Sequence, residues 1–246
     1  MQPGIIRVPL APIRKEADDR SEMVTQALFG EAVEWEVTEA TGWIRVRLTR
    51  DGYTGFTDEK LISSAPDALD AFGEDTTTLQ APLTMLEWMG RPYHLPAGSR
   101  VPKAIWPHTS PPVQLPVEVA AQFLGAPYLW GGKSVLGIDC SGLTQLGCFL
   151  CGWELPRDAS DQWRALAPSQ VLFEDLVHGD LVFFHKVSPE KITHVGFAWK
   201  PEGQPMGVLH ASGEVRIDAL DDGGITRGGE RTHHWTGAAR LPVTLG

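Results

Sequence analysis

A cysteine in the string Asp139-Cys140-Ser141-Gly142 and two later histidines, in Thr193-His194-Val195-Gly196 and Leu209-His210-Ala211, are the residues of this chain best suited to chemistry. Amide cleavage by cysteine needs a thiolate, an imidazole that takes its proton and returns it to the leaving amine, and a group that orients the imidazole. Cys140 fits the first role if it opens a helix, where unpaired N–H groups and the macrodipole favour a thiolate. Asp139 then falls at the N-cap and accepts from those same N–H groups. Its charge opposes thiolate formation, so Asp139 is assigned a capping or substrate-binding role. His194 is expected to open a strand whose alternation puts Gly196 and Ala198 on its own face, leaving room for a helix end to approach. His210, on the next strand, can then bond the far nitrogen of His194 and fix its tautomer. The remaining histidines, His94, His108, His178, His185, His233 and His234, have no comparable context and are read as surface or structural.

The elements that must position these residues are legible in outline. Val117-Glu118-Val119-Ala120-Ala121-Gln122-Phe123-Leu124-Gly125 predicts a short helix stopped by Gly125, and a second helix is predicted from Cys140 to Gly152, with Leu143, Leu146 and Leu150 on one face. Residues 179–184, 194–199 and 206–211 predict strands. Helices followed by strands indicate a segregated α+β layer with an antiparallel sheet rather than parallel βαβ units.

Upstream the pattern is all-β. Val33, Trp35 and Val37 alternate with Glu34 and Glu36, and Ile44, Val46 and Leu48 alternate with Arg45 and Arg47, which predicts a small antiparallel barrel. Residues 63–75 predict a polar connector. A second β-like stretch, from Thr76 to about Ile105, looks like another copy of the barrel. Trp106-Pro107-His108-Thr109-Ser110-Pro111-Pro112 predicts a stiff extended linker.

Composition narrows the function classes. The 246 residues carry a formal charge of −10, which argues against nucleic acid or an anionic membrane as partner. The N-terminal stretch has no basic segment followed by a long apolar run, and no transmembrane run occurs in the sequence, so a cytoplasmic location is expected. Three cysteines are too few for a disulfide scaffold. Cys148-Phe149-Leu150-Cys151 has no second ligand pair at metal spacing, so both thiols are read as buried small hydrophobes and neither a metal nor a cofactor is expected.

Five strings in one order, Pro127-Tyr128-Leu129-Trp130-Gly131-Gly132, Asp139-Cys140-Ser141-Gly142, Leu155-Pro156-Arg157-Asp158, Gly179-Asp180-Leu181-Val182-Phe183-Phe184 and His194-Val195-Gly196, resemble the NlpC family of papain-like bacterial cell-wall peptidases. That resemblance implies Cys140 as nucleophile, His194 as base and His210 as the polar orienter. It also implies Tyr128 beside the nucleophile, and Asp139, Ser141 and Asp158 lining the peptide site. Ala159 stands where a hydroxyl is expected. The segments Thr25-Gln26-Ala27-Leu28-Phe29-Gly30 and Gly52-Tyr53-Thr54-Gly55-Phe56 resemble the bacterial SH3-like modules of one branch, the γ-D-glutamyl-L-diamino-acid endopeptidases of the YkfC kind. The implied organisation is an SH3-like domain over 1–64, a second, smaller SH3-like domain with linker over 65–113, and a papain-like catalytic domain over 114–246.

In that branch a tyrosine and an acid bind the free L-Ala amine of a murein peptide, which is cut between D-Glu and the diamino acid. Tyr53 matches the tyrosine. The aligned acid position holds Val24, and Glu22 lies two residues away, on the same face if the segment is a strand. The expectation is a cytoplasmic endopeptidase of cell-wall peptide recycling, with murein peptide as its partner. Its rivals are an exported peptidoglycan hydrolase or amidase acting on intact stems, a non-catalytic wall-binding module, and an acyl transferase.

Overall fold

The computed structural model describes residues 1–73, 75–107 and 115–241. Residues 108–112 of the expected linker, with His108, lie outside the described residues. The chain forms two compact units, one of residues 1–107 with Trp130–Val135, the other of residues 115–129 and 136–241.

In the first unit β1 (Gln2–Ile6), β2 (Leu10–Arg14), β3 (Met23–Leu28), β4 (Ala32–Val37), β5 (Trp43–Leu48), β6 (Thr54–Asp58) and β7 (Ile62–Ser63) form an antiparallel sheet in the order β3-β2-β6-β5-β4-β1-β7. The β4–β5 hairpin pairs Val33 with Leu48, Trp35 with Val46 and Val37 with Ile44. Its alternation sends Ile44, Val46 and Leu48 into a core with Ile6, Ile13, Ala27 and Ile62. The outward faces carry the cross-strand pairs Arg47–Glu34 and Arg45–Glu36. Being half-exposed, each contributes about 0.2–1 kcal/mol, so burial rather than charge holds the hairpin.

The second β-like stretch departs from the first. The connector holds a helical turn, α1 (Pro66–Ala71), opened by Pro66 at a position where its missing N–H costs nothing. Two separate two-stranded ladders follow: β8 (Thr76–Thr78) with β11 (Arg100–Pro102), and β9 (Leu83–Trp88) with β10 (Arg91–Pro96). Pro92, Pro96 and Pro102 withhold backbone donors, which keeps these ladders narrow. Their apolar residues instead join Ile5 and Phe29 of the first sheet's region, with Phe29 edge-on to Phe72 and Trp88 at 5.5 and 5.4 Å. The stretch has a core cluster of its own, to which the first sheet's segment contributes Ile5 and Phe29.

Short strands β12 (Lys133–Ser134) and β13 (Gly137–Ile138) flank the passage into the second unit's main elements. That unit contains α2 (Pro116–Ala121), α3 (Cys140–Leu150) and α4 (Ala159–Ala165) ahead of β14 (Gln170–Val171), β15 (Leu181–His185), β16 (His194–Trp199), β17 (Gly207–Ser212), β18 (Glu214–Asp221), β19 (Gly224–Arg227) and β20 (Glu230–Ala239). The sheet runs β14-β20-β15-β16-β17-β18-β19, all antiparallel, and β20 also pairs with β19, so the ladder returns on itself. Helices precede the main sheet, as an α+β layer requires. One sheet face closes over Val182, Phe184, Ala198, Val208 and Leu220.

Residues Cys140 to Cys148 of α3 are buried throughout, which explains its apolar and small-residue composition. A Cβ on Gly147 would stand 2.8 Å from the Pro116 carbonyl oxygen of α2 and 3.5 Å from Phe197 of β16. Glycine at that position lets the helix lie this close to both elements. The Cys-x-x-Cys pair divides across the end of α3: Cys148 is in the core and Cys151, at the C-cap, is half-buried, both as free thiols. Among the described residues no helix is long and apolar enough to cross a membrane.

Candidate active site

Asp139 has extended backbone angles at the N-cap of α3, and its Oδ1 accepts from the Gly142 N–H at 2.7 Å. Cys140 is therefore the first helical residue, 7% exposed. Its thiol is pushed up to about 12 by burial first and by the Asp139 charge second. The backbone N–H groups of Val195 and Ser141 and the Arg157 charge pull it the other way. The Ser141 N–H belongs to the helix end and the Val195 N–H to β16, and burial outweighs both.

Arg157 is wholly buried and clamps this cap. Its Nη1 and Nη2 donate to Asp139 Oδ1 and Oδ2 at 3.0 and 2.6 Å, and Nη1 also donates to Ser141 Oγ at 2.9 Å. Bidentate guanidinium–carboxylate geometry fixes orientation as well as charge. Gln162 of α4 continues the network, donating to the Ser141 and Pro156 carbonyls at 3.0 Å each and accepting from Thr144 Oγ1 at 2.8 Å. Asp158, half-buried at the head of α4, makes no side-chain cap there, and its charge acts on Arg157. Tyr128 is half-buried. Its phenol is pushed far up by burial and then by the charges of Cys140 and Asp139, so it remains a hydroxyl donor beside the thiol.

On the sheet side, His194 Nε2 lies 2.7 Å from His210 Nδ1, which leaves Nδ1 as the ring nitrogen that His210 does not engage. Burial holds the His194 imidazole well below its ordinary value, with His210, His233 and Lys186 adding to the effect. Gly196 has a different task from the one its spacing suggested. A Cβ there would meet the Leu209 carbonyl oxygen at 2.7 Å and His210 Cβ at 2.9 Å. The vacant space admits strand β17, carrying His210, rather than the end of a helix.

Two neighbours complete the cluster. His210 Nε2 lies 3.2 Å from Asp218 Oδ2, and Asp218 Oδ1 accepts from Arg216 Nε at 2.9 Å. His233 of β20 stacks on His194, with ring centroids 4.2 Å apart and planes inclined by 22°.

Tyr53 and Glu22 belong to the first unit. Tyr53 is half-buried against the barrel core, and its N–H donates to Asp51 Oδ1 at 3.0 Å. The exposed Glu22 carboxylate accepts from Trp130 Nε1 at 2.8 Å, and Gln26 Oε1 accepts from the Lys133 N–H at 2.9 Å. Val24 packs against the barrel core.

Residues 125–229 match the NlpC/P60 family, and residues 13–60 match the bacterial dipeptidyl-peptidase Sh3 domain. This chain carries an NlpC/P60 domain and a bacterial Sh3 domain. Among curated relatives, the gamma-D-glutamyl-L-lysine dipeptidyl-peptidase of Bacillus subtilis is 44% identical over 81 residues, 32% of this chain and 27% of that protein. Murein DD-endopeptidase MepH of Escherichia coli is 31% identical over 128 residues, 50% of this chain and 45% of that protein. The chain thus spans less than half the length of these relatives. A crystal structure of an NlpC/P60 family protein from Bacillus cereus superposes with a TM-score of 0.79 at 21% identity, covering 97% of this chain and 99% of that one, a likeness of fold.

Asp218 and His233 are the members of the histidine cluster that sequence reasoning missed. His233 in particular is no surface histidine: it is 6% exposed and its imidazole is held down to about 4, by burial first and then by the neighbouring His210 ring. It enters the folded state neutral, while the unfolded chain protonates it near 6.5. Its contribution is therefore intact above pH 6.5, falls as the pH drops, and is fully lost below about 4. Discounted for partial solvent contact, the loss is about 2 kcal/mol. His233→Phe keeps a stacked ring without the titration. Thermal melts between pH 7 and pH 4 should show a shallower acid decline in H233F than in the wild type, and parallel curves would refute the assignment.

Proposed function

We propose that this chain is a cysteine endopeptidase that hydrolyses the γ-D-glutamyl-L-diamino-acid bond of murein peptides bearing a free N-terminal L-Ala, in cytoplasmic recycling of cell-wall peptides. The observation that carries the chemistry is the 2.7 Å bond between His194 Nε2 and His210 Nδ1, with Cys140 at the buried head of α3. The substrate class is supported by the Bacillus relatives named as gamma-D-glutamyl-L-lysine dipeptidyl-peptidases and by the Sh3 domain.

In this reading Cys140 Sγ attacks the γ-glutamyl carbonyl as its proton passes to His194 Nδ1. The thiol and imidazole are each disfavoured as lone charges by burial. They can charge together because thiolate and imidazolium offset one another. Tyr128, protonated throughout, donates its O–H toward the developing oxyanion. The imidazolium then protonates the departing amine of the diamino acid, leaving a thioester. Water, giving its proton to His194, releases the acyl group and restores the thiol. Asp139, Ser141 and Asp158 are assigned to the walls of the acyl site, and Tyr53 with Glu22 to the L-Ala ammonium.

An amine subsite rejects acylated stems because acylation removes the ammonium charge and the N–H donors that the Glu22 carboxylate and the Tyr53 phenol would bind. Turnover of L-Ala-γ-D-Glu-L-Lys and its diaminopimelate counterpart should exceed that of the N-acetylated peptides by roughly 100-fold or more. Equal turnover of free and acetylated peptides would reject the amine-gated reading. It would favour a hydrolase of intact stems.

A further inference from the structure

We infer that Asp218 is a positioning residue that sets the tautomers of both histidines, so that the array runs Asp218–His210–His194–Cys140. The inference rests on the reading of Cys140 as nucleophile and His194 as its base.

The argument follows from which atoms can donate. An ionised carboxylate only accepts, so His210 Nε2, 3.2 Å from Asp218 Oδ2, carries the hydrogen of that ring. Neutral His210 then has its lone pair on Nδ1, and His194 Nε2, 2.7 Å away, must be the donor. That places the His194 lone pair on Nδ1, the tautomer able to take the thiol proton. Two hydrogen bonds in series thus convert the charge of Asp218 into the protonation pattern of a ring it does not touch.

The carboxylate is held ready for this. Burial alone would raise its pKa, but the bonds from His210 and from Arg216 Nε, at 2.9 Å, together outweigh burial and keep it ionised. When His194 becomes imidazolium, His210 Nδ1 accepts its Nε2–H, and in the proposed mechanism the thiolate accepts its Nδ1–H. Asp218 stabilises the charge through His210 without taking the proton. The other groups acting on the array are Asp139, Arg157 and Tyr128 around Cys140, and His233 and Lys186 beside His194. None of these bonds His210 Nε2 among the described contacts, so the tautomer is set from the Asp218 side.

Asp218→Asn supplies the decisive contrast. Its amide can donate to His210 Nε2, which moves the His210 hydrogen to Nδ1 and makes His194 Nε2 an acceptor. The His194 hydrogen then sits on Nδ1, where the ring can no longer take the thiol proton.

The test follows iodoacetamide alkylation of Cys140 against pH, with the Cys140 peptide resolved from those of Cys148 and Cys151 by mass spectrometry, so no substrate is needed. In D218N the rate near pH 7 should fall by roughly 10- to 100-fold. It should converge on the wild-type rate at alkaline pH, where hydroxide removes the thiol proton without help. Asp218→Glu, which keeps the carboxylate, should recover most of the neutral-pH rate.

Imidazole nitrogen shifts of the wild-type protein give a readout that needs no variant. They should place the hydrogen on Nε2 in both His194 and His210. An unchanged alkylation profile in D218N, or an Nδ1–H tautomer at His210 in the wild type, overturns the inference while leaving Cys140 as nucleophile. Failure of wild-type Cys140 to alkylate at neutral pH would overturn the cysteine-peptidase reading and this inference with it.

Discussion

On the proposed mechanism, Cys140→Ala is expected to reduce release of the diamino-acid product by at least about 10⁴-fold, because a nucleophile acts as a unit with its base and no other thiol can replace it. Cys148 is sealed in the core, and Cys151 lies at the opposite end of α3. The substitution removes one buried sulfur and leaves the Asp139 cap, the Arg157 clamp and the His194–His210 bond without a direct change of partner. The stability change should therefore be on the order of 1 kcal/mol. Chromatographic assay of peptide cleavage, paired with a thermal melt, separates the two effects. Loss of activity together with a retained cooperative melt supports the assignment; turnover above a hundredth of wild type would remove Cys140 from the chemistry.

The parts of this site that were legible in sequence are those built on regular periodicity and short-range rules. Asp139 before Cys140 reads as a cap because capping needs only local chain geometry, and the structure places its carboxylate on the Gly142 N–H. The strands of His194 and His210 read from their apolar patterns, and the two rings meet as neighbouring strands allow. Asp218 was hidden by a break in alternation. Val215-Arg216-Ile217-Asp218 suggests Val215 and Ile217 inward and Asp218 outward, yet Ile217 is 38% exposed and Asp218 only 9%. A buried bond to His210 and an Arg216 partner compensate for turning the carboxylate inward. His233 was hidden for another reason. Thr232-His233-His234 offers two adjacent histidines, and only the β19–β20 register, with its shift between Ile225 and Thr226, decides which faces His194. Arg157 carried a signal of its kind in Leu155-Pro156-Arg157-Asp158, but its partner lies in a different element and is not encoded by local spacing. For the second β-like stretch, alternation reports the strands' faces without reporting what covers them. Its cover is Phe29, contributed by the preceding segment.

Arg157→Met should be the most destabilising single change at the site. The side chain is 1% exposed and answers an Asp139 carboxylate that is itself 8% exposed, through two bonds. Methionine matches much of the volume but strands the carboxylate, a change that costs about 3–5 kcal/mol when one member of a buried pair is removed. Ser141 Oγ loses the same donor. Chemical denaturation should record a fall of that size. A loss below about 1 kcal/mol would mean that the pair is far better solvated than its burial indicates. The effect on reactivity is separate and has its own sign. Asp139 raises the Cys140 thiol and Arg157 lowers it, so removing Arg157 alone should slow alkylation of Cys140 near pH 7 even where the variant is folded. Asp139→Asn in the Arg157→Met background keeps a carbonyl oxygen at the N-cap and removes the stranded charge. The double variant should recover most of the lost stability, because neutral replacement of both members of a buried pair is far cheaper than deletion of one. It should also restore alkylation beyond the R157M level, since the charge that opposes the thiolate is gone. Recovery of stability without recovery of alkylation would show that Arg157 shapes the head of α3 by geometry, and that its charge is not what tunes Cys140.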